Sequence, residues 1–323
     1  MIKISMSLAQ QVRPVFDIPG RSKLDNFSLR WQREKVVVIM GATGTGKSRL
    51  SIDMAAQFPA EVINSDKMQV YKGLDIVTNK ISDDEKCGVQ HHMLGTINPD
   101  SEFTSENFCD MATLSMESIC SRGLLPIIVG GSNSYIEALV DDSDFRLRSK
   151  YDCCFIWVDV SLPVLDNFVS ARVDQMVRKG MVDEVRNMFD PDADYSTGIR
   201  KSIGVPELDR YFRTEKFLDE QSRTELLHHS ICDIKRNTCK LARSQLEKIR
   251  RLRNEKGWNI HRIDATEVFL KRGDHEADDA WKNTVSRRGI AIVEQFLYGM
   301  STNAKTAPSS RALEEYNVTE CVV

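Results

Sequence analysis

The run Gly41-Ala42-Thr43-Gly44-Thr45-Gly46-Lys47-Ser48 matches G-x-x-x-x-G-K-[ST] at every position and directly follows the buried-strand run Val36-Val37-Val38-Ile39. Its glycines let backbone N–H groups wrap a phosphate, and a helix opening near Lys47 adds its positive end. Lys47 neutralises charge and the Ser48 hydroxyl can hold Mg²⁺. Such a loop names the group gripped, a di- or triphosphate. It leaves the reaction open: kinase, nucleoside triphosphatase, switch and transferase all remain. A second candidate is Asp66, in Ile63-Asn64-Ser65-Asp66-Lys67-Met68-Gln69-Val70-Tyr71. In an open α/β sheet this run falls just after the second strand, at the carboxyl edge where ligands bind. Asp66 there either meets whatever Lys47 grips or caps a following helix. Asp159, after Phe155-Ile156-Trp157-Val158, is a formal match for a metal-binding acid at a strand end, a common position for an acid.

These residues need a frame. Strand-like runs at Lys35 to Met40, Ala60 to Asn64, Leu124 to Val129 and Phe155 to Val160 alternate with helical patterning, which predicts a parallel sheet with helices on both faces. Beyond Val160 apolar residues recur at helical spacing up to Pro191, predicting one helix of about 25 residues. A second amphipathic stretch spans about Glu225 to Asn254, and Trp258 to Ile263 reads as a returning strand before a helix ending near Met300. The expected organisation is an α/β core at 34–160, a helical lobe at 161–256, a return to the core at 257–300 and a loose tail at 301–323. Residues 1–33, with six basic residues, two acidic residues and four serines, read as a flexible arm or part of a transit peptide, without the h-region of a secretory signal.

Composition narrows the classes further. The chain has 323 residues, 41% hydrophobic and 28% charged, with a net charge of −3, so a globular protein with a large core is expected. Nothing global attracts nucleic acid or anionic lipid. The apolar runs are strand-sized, far below the roughly 20 residues of a spanning helix. Eight cysteines lack Cys-x-x-Cys or zinc-finger spacing and read as free thiols. Adjacent histidines diverge, and no carboxylate-rich motif surrounds His91-His92 or His228-His229, so neither pair predicts a metal site.

The run from Ile63 through Gly73-Leu74-Asp75-Ile76-Val77-Thr78-Asn79-Lys80, taken with the phosphate loop, resembles the isopentenyltransferase family, whose members include adenylate isopentenyltransferases and tRNA-modifying relatives. Further blocks resemble it in order: Gln90-His91-His92-Met93-Leu94-Gly95, Phe103 to Phe108, Arg122 to Ile136 with Gly130-Gly131-Ser132-Asn133-Ser134-Tyr135, Arg172-Val173-Asp174-Gln175-Met176 with Gly180 and Glu184, Ser202 to Leu208, and Thr238 to Gln245. The resemblance covers residues 35 to 265. It implies a P-loop nucleoside-triphosphatase-like α/β fold and transfer of a dimethylallyl group from dimethylallyl diphosphate to N6 of an adenine nucleotide. On this resemblance Asp66 is the general base, and Thr43 acts near the amine and the bridging oxygen. Gly41, Ala42, Gly44, Thr45, Gly46, Lys47 and Ser48 hold the donor pyrophosphate with Mg²⁺ on Ser48, and Arg172, Lys240 and Arg243 reach it from the helical lobe. Ser65, Asp66, Asn79 and Ser134 face the acceptor, and the histidine pair lines or shapes the site.

The plant-like Gly-Gly-Ser-Asn-Ser-Tyr block and Asn79-Lys80 point to the adenylate branch, which implies ATP, ADP or AMP as acceptor, ATP or ADP preferred, in cytokinin biosynthesis and a plastid location. Residues 265 to 323 hold one cysteine and no zinc-finger spacing, and the basic footprint expected for folded RNA is missing. tRNA is therefore the alternative acceptor, kept open by seven basic residues against two acidic ones in Lys240 to Lys256. A small-molecule kinase is the other alternative. Neither a membrane nor a partner chain is expected, leaving a monomer.

Overall fold

The computed structural model describes residues 33–299 except 143, 144, 146 and 272–275; the arm expected at 1–33, apart from Arg33, and the tail expected at 301–323 lie outside them. Six strands form one parallel sheet: β1 (Glu34–Met40), β2 (Ala60–Asn64), β3 (His91–His92), β4 (Leu125–Gly130), β5 (Tyr151–Asp159) and β6 (Ile260–Asp264), in the spatial order β3-β2-β4-β1-β5-β6. Val36 to Met40 and Leu125 to Gly130 are buried on both faces, which is why these strands read as continuous apolar runs rather than alternating ones. Since β2, β4 and β1 are neighbours, the segments that leave their carboxyl ends meet along one edge. That edge is where Gly41, Ser65 and Gly131 lie.

Along the chain, α1 (Lys47–Ala55), α2 (Asp83–Lys86), α3 (Ser105–Ser121), α4 (Asn133–Asp141) and α5 (Leu147–Lys150) connect the first five strands. After Asp159 the chain leaves the sheet for α6 (Leu162–Arg178), α7 (Met181–Met188), α8 (Pro206–Thr214) and α9 (Glu220–Asn254), then rejoins it at Ile260 and ends in α10 (Thr266–Leu270), α11 (Glu276–Trp281) and α12 (Arg287–Tyr298). Helix α9 has 35 residues, roughly 50 Å. Asp219 accepts the Ser222 N–H at its start, and a buried stripe of Ile234, Thr238, Ala242, Gln245, Leu246, Ile249 and Leu252 runs along it at helical spacing. It packs against α6, α8 and α4.

The long helix expected after Val160 is two helices. Gly180 sits at φ 99°, a left-handed conformation that ends α6 and opens α7 at a new angle. The two-residue strand β3 was not expected; it is too short to leave a periodic signal. Among the described residues no helix is long and apolar enough to cross a membrane.

Candidate active site

The loop after β1 is held from three directions. Within it, Lys47 Nζ donates to the Ala42 carbonyl at 2.6 Å and Thr45 Oγ1 donates to the same oxygen at 3.0 Å. From α9, the Gln245 side chain accepts the Thr43 N–H at 2.8 Å and donates to the Gly131 carbonyl at 3.0 Å, joining the loop to the turn after β4. From the returning segment, the Trp281 ring lies so close that a Cβ on Gly46 would come within 2.6 Å of it. That tryptophan is fixed by donating Nε1–H to Asp53 at 2.7 Å and by the Arg49 guanidinium 4.8 Å from its ring centre. Gly46 itself is at φ 88°, so both its backbone and its surroundings exclude a side chain.

Asp66 follows β2 in a turn rather than at a helix start. Its Oδ1 accepts the Met68 N–H at 3.0 Å, its own N–H donates to Asn64 Oδ1 at 3.1 Å, and Lys67 N–H donates to Ser132 Oγ at 2.9 Å. Oδ2 makes no hydrogen bond among the described residues, so one carboxylate oxygen stays available. The carboxylate lies within electrostatic reach of Lys47. Burial pushes the Lys47 ammonium down from 10.5 to about 8, with the Asp66 charge opposing that fall and the Arg172 charge adding to it. Arg172, on α6, donates Nη2–H to Thr43 Oγ1 at 2.9 Å. The structure thus gathers Thr43, Lys47, Asp66 and Arg172 around one point at the carboxyl edge of the sheet.

Other expected residues fall elsewhere. Arg243 donates to Asp166 at 2.5 Å on the exposed side of α6, and Lys240 is exposed; both are turned away from the α9 face that carries Gln245. Ser65 is fully buried beneath Gly130, whose hypothetical Cβ would lie 2.3 Å from Ser65 Oγ. Ser134 is exposed, and the residue of its block that touches the Asp66 turn is Ser132. Asn79 stands at φ 51° on the rim of a cleft that Arg172 also lines. His91 and His92 are tied into the sheet edge: His92 Nε2 lies 2.6 Å from Glu61, which Arg122 grips with two hydrogen bonds at 2.5 and 2.7 Å. That guanidinium, more than the histidine, holds the Glu61 carboxyl below its usual range.

Gln245, Ser132, Glu184 and Trp281 were not singled out by sequence reasoning as site residues. A glutamine inside a largely apolar helical stripe was the available signal for Gln245. Glu184 has its carboxylate bound by the Ile76 and Val77 N–H groups, each at 2.9 Å, so α7 fixes the turn that carries Asn79.

Ser48, exposed at the second position of α1, offers a hydroxyl that makes no hydrogen bond among the described residues. That hydroxyl is an oxygen donor of the kind Mg²⁺ shares with phosphate oxygens. No group of three or more His, Cys, Asp and Glu is gathered among the described residues for a metal held by protein alone. Asp159 is buried and bound to Arg262 at 2.6 Å, which occupies it as an ion-pair partner.

A parallel sheet, a glycine phosphate loop at its carboxyl edge and an acid beside it define a P-loop nucleoside-triphosphatase-like α/β protein. A family model described as IPP transferase matches residues 69–149 and 142–252, and the chain belongs to that isopentenyltransferase family. It is 60% identical over 300 residues to adenylate isopentenyltransferase 5, chloroplastic, of Arabidopsis thaliana, covering 92% of this chain and 90% of that one. To adenylate isopentenyltransferase 3, chloroplastic, of the same plant it is 52% identical over 334 residues, covering 100% and 99%. A crystal structure of a eukaryotic dimethylallyltransferase acting on tRNA superposes with a TM-score of 0.70 at 26% identity, covering 85% of this chain and 82% of that one.

Proposed function

We propose that this chain transfers the dimethylallyl group of dimethylallyl diphosphate to N6 of an adenine nucleotide, as an adenylate isopentenyltransferase of cytokinin biosynthesis. The relatives named for that reaction share 52% and 60% of their residues with it, against 26% for the structure that acts on tRNA. The observation that carries the reading is the phosphate loop with Arg172 on Thr43 and the Asp66 turn beside it, Asp66 Oδ1 bound to the Met68 N–H and Lys67 N–H bound to Ser132.

In the reaction, the N6 lone pair forms a bond to C1 of the prenyl group while the C1–O bond breaks and its electrons leave on pyrophosphate. The adenine amine is a weak nucleophile because its lone pair is delocalised into the ring. Asp66 Oδ2 takes the proton that N6 sheds, and the Met68 N–H on Oδ1 holds the carboxylate in orientation. The backbone N–H groups of Gly41 to Ser48 other than that of Thr43, which Gln245 accepts, receive with Lys47 and Arg172 the charge that develops on the leaving pyrophosphate. Arg172 also positions the Thr43 hydroxyl, which we assign to the bridging oxygen. Bound Mg²⁺, held by Ser48, would neutralise further charge on the pyrophosphate. Lys240 and Arg243, on the far side of α9, contribute at most at long range.

ATP and ADP are our preferred acceptors, the chain acts as a monomer, and a plastid is its compartment, the last resting on the chloroplastic names of its relatives. The deciding experiment incubates the protein and Mg²⁺ with dimethylallyl diphosphate and, separately, ATP, ADP, AMP or a tRNA anticodon stem-loop, and measures product mass. One added prenyl unit on a free nucleotide is expected. Gain on the stem-loop alone would make tRNA the acceptor, and phosphorylated product from ATP without donor would make the protein a kinase. A fluorescent fusion of the full chain that collects in mitochondria or cytosol would overturn the plastid assignment.

A further inference from the structure

One buried side chain holds the Asp66 peptide from both sides. Asn64, the last residue of β2, accepts the Asp66 N–H on Oδ1 at 3.1 Å and donates Nδ2–H to the Asp66 carbonyl at 3.1 Å. The same amide nitrogen donates a second time, to the Met93 carbonyl at 3.1 Å. Asp66 repeats the pattern two residues on, its Oδ1 accepting the Met68 N–H at 3.0 Å. Two side-chain turns in series, the second closed by the carboxylate itself, set where Asp66 points.

Met93 presents its carbonyl from a strained backbone. It stands at φ 60°, left-handed for a residue without glycine's freedom, and such strain persists only where the surroundings over-determine it. Ahead of it, His91 and His92 pair with Val62 and Ile63 of β2, and His92 Nε2 lies 2.6 Å from Glu61, which Arg122 grips. Beyond it, the Gly95 N–H donates to the Gln69 carbonyl at 2.9 Å and the Thr96 N–H to the Val70 carbonyl at 2.8 Å. The segment 91–96 is thus fastened to the chain before Asp66 and again after it. Asn64 joins its middle to the Asp66 peptide.

We propose that Asn64 is the positioning residue of the general base and that the segment 91–96 is the brace against which it works. The proposal rests on the role given to Asp66 above and adds what aims its carboxylate. It also gives the His91-His92 pair a task, anchoring the brace at the sheet edge. Proton transfer from N6 needs Oδ2 held in line with the amine, and misplacement by about 1 Å can cost on the order of a hundredfold in rate. The Met68 bond cannot supply that alignment alone, because a contact between residues two apart moves with the turn that contains it. Asn64 ties the turn to a different strand.

The test uses the full chain with Asn64→Ala, Asn64→Ser, His92→Ala, Asp66→Ala and the double variant Asn64→Ala/Asp66→Ala. Initial rates with dimethylallyl diphosphate and ADP are taken at a temperature where circular dichroism shows each variant folded. Asn64→Ala should lower kcat about thirtyfold and His92→Ala about threefold, with both KM values within about twofold of the unaltered chain. Asn64→Ser, whose hydroxyl can close the same turn, should recover kcat to within about fivefold of the unaltered chain. Because Asn64 acts through Asp66, the double variant should be no slower than Asp66→Ala. A kcat within threefold of the unaltered chain in Asn64→Ala overturns the proposal, as does a double variant much slower than Asp66→Ala, which would mark a general loosening of the edge. Should Asn64→Ala fail to fold, unchanged kcat in both Asn64→Ser and His92→Ala overturns it instead. Near-normal turnover by Asp66→Ala would remove the base assignment itself, a failure that no Asn64 variant can imitate.

Discussion

The loop Gly41 to Ser48 contains a left-handed glycine, Gly46 at φ 88°, and another, Gly73 at φ 77°, stands just before the turn Leu74 to Lys80. They differ in what surrounds them. A Cβ on Gly46 would meet Trp281 at 2.6 Å, whereas a Cβ on Gly73 meets nothing within 4 Å. The first region is preformed, its backbone clamped by Lys47, Gln245 and Trp281. The second stands out from the sheet edge and is held by side-chain tethers, above all Glu184. A group that must receive charge from a breaking bond gains from preorganisation. A turn tethered through one carboxylate is less constrained than that loop.

The largest expected effect breaks this comparison at the two glycines. Gly46→Ala should combine left-handed strain, about 1–2 kcal/mol, with a clash against a tryptophan pinned by Asp53 and Arg49, for which overpacking costs about 1–3 kcal/mol more. Gly73→Ala should cost the strain alone. Urea denaturation of both variants checks this; equal destabilisation would mean that Trp281 moves aside and that the loop is not clamped.

Gln245→Ala comes next. It strips the half-buried Thr43 N–H and the buried Gly131 carbonyl of their partner, costing about 1–3 kcal/mol. Because the lost contact is on the donor side, donor KM should rise about tenfold while nucleotide binding, followed by fluorescence titration with a labelled ADP, stays within about twofold. A matched loss in both would show that Gln245 supports the whole edge instead of the loop.

These two regions were unequally legible in the sequence. Gly41 to Ser48 announces itself because a wrapped phosphate demands glycines, a lysine and a hydroxyl at fixed local spacing. The order of apolar runs likewise disclosed β1, β2, β4 and β5, since a buried parallel strand is a local pattern. What holds the loop in place is not local. Gln245 lies 202 residues from Thr43, and Glu184 lies 107 from Val77. Spacing within a helix shows that Arg243 and Lys240 are cationic, but not that the α9 face carrying Gln245 is the one turned to the site. The two-helix break at Gly180 was hidden for a related reason: apolar periodicity continues through it, and only the left-handed φ marks the bend.

A smaller effect separates the regions by pH. Lys47 titrates near 8 because burial disfavours its charged form. Donor kcat/KM should therefore fall as pH rises through about 8, approaching tenfold per unit. Stability moves the other way. Between about 8 and 10.5 the unfolded chain holds the Lys47 proton and the folded chain does not, so this group makes folding more favourable as pH rises across that window. A donor profile that is flat to pH 9.5 would show that Lys47 keeps its proton or that its charge is not used.

The smallest effect is reserved for Glu184, and the argument turns on its two oxygens. Each accepts one N–H of the turn, from Ile76 and from Val77, at 2.9 Å. Glu184→Gln keeps one acceptor oxygen and sets an amide against the other N–H, so one tether survives; Glu184→Ala removes both. If the turn serves only as a wall for the acceptor, Glu184→Gln should raise ADP KM about threefold and Glu184→Ala further, with kcat for bound substrates and donor KM nearly unchanged. A merely structural role would instead lower thermal stability in both variants without separating the two KM values. Loss of kcat in Glu184→Gln would carry the turn into the chemistry itself and erase the contrast between a clamped loop and a tethered wall.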